Sequence, residues 1–246
     1  MTQAAYDLGE LKHCFDHDGY VAIQGFLSKP ELAELQSELD RYIRERVPKI
    51  PRTDVHYEVD GDPSTLKQMA PIKCHDAYFA RLMMDSKWMG LAKALLGERV
   101  VPHEAEWFNK PPRLGKPTPP HQDGYYFMLE PNEAVTLWLA LDPVDESNGC
   151  VRYVAGSHRK GLRPHLRTNV PGFPLGISDY GEGDRQAEMP MLAKPGDLLV
   201  HHAATVHRAD GNPSERHRRS LGLIYYAARG RLDVKRFAAY QKQLAP

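Results

Sequence analysis

The chain has 246 residues, with 32 Lys+Arg against 32 Asp+Glu, a formal net charge of zero, 41% hydrophobic residues and 9% aromatics. The even charge argues against a general nucleic-acid binder, which needs a basic excess to displace counterions, and the apolar content argues against a disordered chain. One core suffices, because all-β folds often run to about 200–250 residues as a single domain.

The opening, MTQAAYDLGELKHCFDHDGY, has no basic region followed by an apolar stretch, so no secretory leader is expected. A first helix precedes a short strand at Tyr20–Ile23. Ser28 then reads as an N-cap, with Pro30 in the first turn and Glu31 beside it. Leu32, Leu35, Leu39 and Ile43 follow at helical spacing. A further helix is expected from about Asp76 to Leu96, closed by Gly97. No apolar run approaches the roughly 18–20 residues that span a bilayer. The cysteines are Cys14, Cys74 and Cys150, an odd number without metal-finger spacing, which fits a reducing cytoplasm.

The period changes in the second half. Residues 103–108, 135–142, 149–155, 196–202 and 218–226 are short, strand-like and separated by Pro, Gly and Asn-Gly signals. They predict a mainly β sandwich or barrel with the helices packed on one face. No repeat or low-complexity linker interrupts the chain, so one domain over 1–246 is expected. The stretch 163–191 shows little periodicity and reads as a long irregular loop, a candidate lid. Its Arg163, His165, Arg167 and Arg185 could meet an anionic or polyhydroxylated substrate, or be balanced by Asp179, Glu182, Asp184 and Glu188.

Chemistry concentrates in PPHQDGYYF, residues 119–127. On extended backbone His121 and Asp123 share a face, so an imidazole and a carboxylate can converge on one ion. Downstream, GDLLVHHAATVHRADGNPSERHRRSLGLIYY offers His201, His202 and His207. His207 is preferred because it stands just before the Asp210-Gly211-Asn212 turn, which as a hairpin would bring Arg218 back toward the metal. Two histidines and a carboxylate form the facial triad of non-haem Fe(II) oxygenases, whose open positions accept a chelating co-substrate and dioxygen. Arg218 and Ser220, on one face of the next strand, suit the far carboxylate of a dicarboxylate, while Arg219 should point away.

These motifs, with FNKPP (108–112), TLWLALD (136–142) and NGCVRYVAGSHRKG (148–161), resemble the phytanoyl-CoA dioxygenase-like family of Fe(II)- and 2-oxoglutarate-dependent oxygenases. The resemblance implies a double-stranded β-helix, or cupin-like jelly roll, from about residue 100 to 226, supported by an N-terminal helical part. It implies Fe(II) held by His121, Asp123 and His207, and 2-oxoglutarate bound by Arg218. Lys73 matches a family lysine that contacts the co-substrate, and Trp138 a tryptophan that lines its pocket. The family's halogenases replace the metal carboxylate with a small residue; Asp123 is present, so hydroxylation-type chemistry with O2, releasing succinate and CO2, is expected on a small, polar metabolite. Desaturation and cyclisation are compatible with the same residues. Competing readings are a non-catalytic jelly-roll binding module, a cupin-like metal hydrolase or isomerase, which leaves Arg218 and Ser220 unexplained, and a nucleic-acid demethylase, which lacks a basic groove.

Overall fold

A computed structural model describes residues 6–170 and 172–244. The first five residues, where no secretory leader is expected, and Pro171 of the 163–191 stretch lie outside them. The N-terminal part comprises α1 (Leu8–Asp18), β1 (Tyr20–Ile23), α2 (Lys29–Glu45), β2 (Val55–Tyr57), β3 (Leu66–Met69), α3 (Ile72–His75), α4 (Ala77–Leu82) and α5 (Ser86–Leu96). There follow β4 (Val100–Lys110), β5 (Thr118–His121), α6 (Asp123–Phe127), β6 (Leu129–Glu130), β7 (Ala134–Ala140) and β8 (Val151–Val154). The remainder is β9 (His165–Val170), β10 (Phe173–Ile177), α7 (Glu182–Gln186), β11 (Glu188–Met191), β12 (Leu198–His202), β13 (His207–Ala209), β14 (Arg218–Ala227), β15 (Arg231–Leu232) and α8 (Val234–Leu244).

Two antiparallel sheets carry the fold. The larger runs β1-β12-β7-β14-β4-β3-β2, the smaller β11-β8-β13-β5, and both line one cavity, the arrangement of a jelly roll. In the central strand β7 every residue is buried, because one face meets the helices and the other the cavity. Leu137 and Leu139 join Leu221 and Leu223 of β14 beneath Leu35 and Leu39 of α2 and Trp88, Leu91 and Leu95 of α5. The alternate residues Thr136 and Trp138 turn to the cavity.

The helix signals explain the local geometry. The Glu31 carboxylate accepts the Ser28 N–H at 2.7 Å and hydroxyl at 2.6 Å, and pairs with Lys87 at 2.7 Å, tying α2 to α5. Gly97 ends α5 at φ 71, a left-handed conformation that favours glycine.

Several expectations need correction. The single helix over 76–96 is two: Asp76 caps α4, and the chain restarts at α5 with Asp85 accepting from Lys87 N–H at 2.7 Å. Short polar side chains that bond a nearby backbone N–H favour such breaks. The N-terminal part supplies more than the expected strand β1; β2 and β3 also extend the larger sheet. The stretch 163–191 is an ordered β9–β10 hairpin followed by α7 and β11, the last paired with β8. Nor does the Asp210 turn close a hairpin: β13 belongs to the smaller sheet and β14 to the larger, so the chain crosses between sheets there.

Leu137 is fully buried in the main core, so Leu137→Ala should cost about 2–5 kcal/mol in urea unfolding. Leu232→Ala, at a 52% exposed position, should stay within about 0.5 kcal/mol.

Candidate active site

Strand pairing sets the site. β13 lies antiparallel to β5 with His207 opposite His121, and the two rings are 4.1 Å apart. Asp123 sits one extended residue beyond β5, at the first position of α6. One donor atom from each of His121, Asp123 and His207 lies within 4.8 Å of the others.

Hydrogen bonds aim these donors. His121 Nδ1 is 2.8 Å from Pro119 O and His207 Nδ1 is 3.0 Å from Thr205 O. A carbonyl accepts only, so each Nδ1 carries the proton and each Nε2 keeps its lone pair. Both Nε2 atoms stand 3.5 Å from Asp123 Oδ1. The other oxygen, Oδ2, accepts from Thr136 Oγ1 at 2.7 Å and from His201 Nε2 at 3.0 Å. His201 Nδ1 then accepts the Tyr153 hydroxyl at 2.8 Å. Burial would raise the Asp123 pKa, but His207, His121 and His201 together hold it well below the usual carboxylate range. Burial and the neighbouring His121 and His201 hold His207 well below the usual histidine range, as a neutral metal ligand requires. The donor set therefore fits a divalent metal.

Beside the triad lies a cavity of about 210 Å³ whose far end is cationic. Arg218 is 4% exposed there, with its guanidinium carbon 5.4 Å from the centre of the Trp138 ring. Its Nε has no hydrogen-bond partner, and Nη1 reaches only Ser220 Oγ, at 3.5 Å. Burial pushes the Arg218 pKa down to about 10. A buried guanidinium without a facing acid is costly, so the pocket suits a bound carboxylate. Ser220 is fully buried behind Arg218. Arg219 does point away, binding Asp142 bidentately at 2.9 and 2.7 Å.

Lys73 is not at this end. Its Nζ donates to Pro102 O at 3.3 Å, and the residue does not line the cavity. Lys67 and Lys110 line the cavity instead. Lys67 is buried 3.5 Å from Glu58, and Lys110 donates to Lys116 O. Alternation along TLWLALD would have found Thr136 from Trp138; no comparable signal separated Lys67 from Lys73.

The cationic side chains of 163–191 do not line the cavity. Arg163 pairs with Asp179 at 3.0 Å and Asp184 at 2.7 Å, and His165 stacks on Tyr125 at 4.0 Å. The segment contributes Phe173, whose ring lies 5.0 Å from that of His121. Tyr126 and Phe127 also line the cavity, while Tyr125 turns to Gln243 of α8. His202 pairs with Glu133 at 3.1 Å, away from the cavity. No helix among the described residues is long and apolar enough to cross a membrane.

Residues 15–220 match the profile of the family described as phytanoyl-CoA dioxygenase. Peroxisomal phytanoyl-CoA dioxygenase of Mus musculus is 26% identical over 231 residues, covering 88% of this chain and 67% of its own length. Among solved structures, the epimerase SnoN in complex with Fe3+, alpha ketoglutarate and nogalamycin RO superimposes with a TM-score of 0.72 at 26% identity, covering 91% of this chain and 84% of its own. EctD from S. alaskensis with 2-oxoglutarate and 5-hydroxyectoine gives a TM-score of 0.76 at 21% identity over 95% of this chain and 80% of its own, a likeness of fold.

The His201 contact to Asp123 generates a direct expectation. His201→Phe should weaken anaerobic Fe(II) binding in calorimetry by about 10–100-fold, as loss of a partner that orients a metal ligand does. His202→Phe should stay within about twofold. Unchanged affinity in His201→Phe would remove that positioning role.

Proposed function

The chain belongs to the phytanoyl-CoA dioxygenase family of iron- and 2-oxoglutarate-dependent oxygenases, and from that membership we propose that it hydroxylates an unactivated C–H of a small, polar metabolite. 2-Oxoglutarate and O2 are consumed, and succinate and CO2 released. The observation that carries this reading is the pairing of two features in one cavity. Three inward-facing donors on His121, Asp123 and His207 meet a buried Arg218 that has no acid partner among the described residues.

In this reading His121 Nε2, His207 Nε2 and Asp123 Oδ1 would hold Fe(II). Bound iron, with 2-oxoglutarate as reductant, would activate O2, the oxidant of the C–H bond. The protein's part is orientation and exclusion of water. Thr136 and His201 fix the Asp123 carboxylate. Arg218 takes the distal carboxylate of 2-oxoglutarate, Ser220 steadies its Nη1, and Trp138 covers the guanidinium face. Lys67 and Lys110 lie at the same end; Lys67 is paired with Glu58, and burial beside Arg218 holds Lys110 well below the usual lysine range. Phe173 and Tyr126 screen the outer side of His121. Asp123 fills the position a halide would need, which favours oxygen insertion over halogenation.

The cavity of about 210 Å³, shared with 2-oxoglutarate in this reading, encloses little more than a small group, which supports a small metabolite. A chain that alternates polar and aromatic linings, as Glu106 and Phe108 do, suits a polar one.

Oxygen-dependent succinate formation by Fe(II)-loaded protein, measured by chromatography over a metabolite panel, tests the reading, with transfer of labelled oxygen from O2 into product identifying hydroxylation. Chelation of iron should abolish turnover. Arg218→Ala should weaken 2-oxoglutarate binding by about 30-fold or more, the scale for removing one partner of a buried charge pair. Lys73→Ala should leave it within about twofold. Absence of succinate together with absence of 2-oxoglutarate binding would overturn the assignment.

A further inference from the structure

The cavity is electrically divided. Arg218, Lys110 and Lys67 occupy one end, whereas among the described residues a single acid outside the metal triad, Glu106, lines it elsewhere. Glu106 lies on β4 directly across from Gly222 of β14. Gly222 has no side chain to cover the carboxyl; a Cβ there would lie 3.7 Å from the Phe108 ring. Phe108 follows Glu106 on the same strand face, with Phe173 stacked on it at 6.4 Å.

Among the described residues, no hydrogen bond or ion pair reaches Glu106. This is unusual for the chain's enclosed acids: Glu58 faces Lys67, Asp142 holds Arg219 and Glu188 holds Arg208. The charges that Glu106 does feel are negative. Burial, then Asp123 and Glu104, pushes its carboxyl up to about 8. A bare negative charge is poorly tolerated there, and a bound anion would make matters worse. The dicarboxylate is therefore directed to the Arg218 end, and Glu106 is left to the other ligand.

We propose that Glu106 anchors the primary substrate and selects one that carries a cationic nitrogen, seated between the carboxylate and the rings of Phe108 and Phe173. This deepens the oxygenase reading and rests on it. A cation satisfies the carboxylate and the aromatic faces together, since a ring quadrupole attracts positive charge within about 6 Å. A neutral hydroxyl can hydrogen-bond the carboxyl but supplies no positive charge to hold it ionised. Selection then follows because only a cationic ligand forms a charge pair with Glu106.

The test uses a matched pair of probes, choline and its uncharged isostere 3,3-dimethylbutan-1-ol. Each is titrated calorimetrically and anaerobically into full-length protein loaded with Fe(II) and 2-oxoglutarate. Choline should bind at least about tenfold more tightly than the isostere, a preference of the size expected for a desolvated cation–aromatic site with a carboxylate. Glu106→Gln should remove that preference while 2-oxoglutarate affinity stays within about twofold. Equal affinities, no choline binding, or unchanged choline affinity in Glu106→Gln each overturn the proposal. The wild-type comparison decides the matter even if the variant fails to fold. Failure of wild-type protein to bind 2-oxoglutarate would instead strike the oxygenase reading itself.

Discussion

A carboxylate enclosed between two sheets must be compensated from both. Asp123 shows one oxygen to His121 and His207 of the smaller sheet and gives the other to Thr136 and His201 of the larger. An unpaired charge in such a place costs several kcal/mol. The sheets are therefore locked at one separation and one register where Asp123 lies. The Tyr153 hydroxyl on His201 extends the lock to β8. Each histidine has a fixed tautomer because its second nitrogen has a single kind of partner.

Around that lock the cavity sorts its ligands by charge. The cationic end rests on strand pairing: Arg218 lies opposite Lys110 across β14 and β4. The aromatic side is brought by the β9–β10 hairpin, which α8 holds down. Gln243 donates to His165 O at 2.6 Å, Tyr125 donates to Gln243 at 3.1 Å, and Arg167 donates to Gln243 O at 2.8 Å. Beneath these polar contacts β10 buries Leu175 and Ile177, so the hairpin is held on both its faces.

Much of this was legible in the residues. Short runs rich in Val, Leu, Ile, Tyr and Trp marked β4, β7, β8, β12 and β14, and Ser220 two residues on, with the preceding histidine, set Arg218 apart from Arg219. The metal donors were legible because His-x-Asp and a later histidine form a chemically specific set. What escaped were features decided by tertiary pairing. The β9–β10 hairpin carries polar residues on a surface face, so it lacks the apolar alternation of a core strand. Lys67 and Lys73 are alike in sequence, and only the pairing of β3 with β4 distinguishes them. Glu106 gave no signal because an acid in a strand ordinarily faces solvent. Its meaning comes from Gly222 across the ladder and from the rings beside it.

The pairing of His207 with His121 has a thermodynamic consequence. The donors meet only after β5 and β13 align, so an unfolded chain offers an incoming ion no more than the neighbouring His121 and Asp123. An ion that prefers the complete set acts as a ligand of the native state alone. At a free concentration 100-fold above its dissociation constant it shifts the folding equilibrium by about 2.7 kcal/mol. A metal ion bound by the complete set is thus part of the folding equilibrium, holding β5 and β13 in register as a crosslink would.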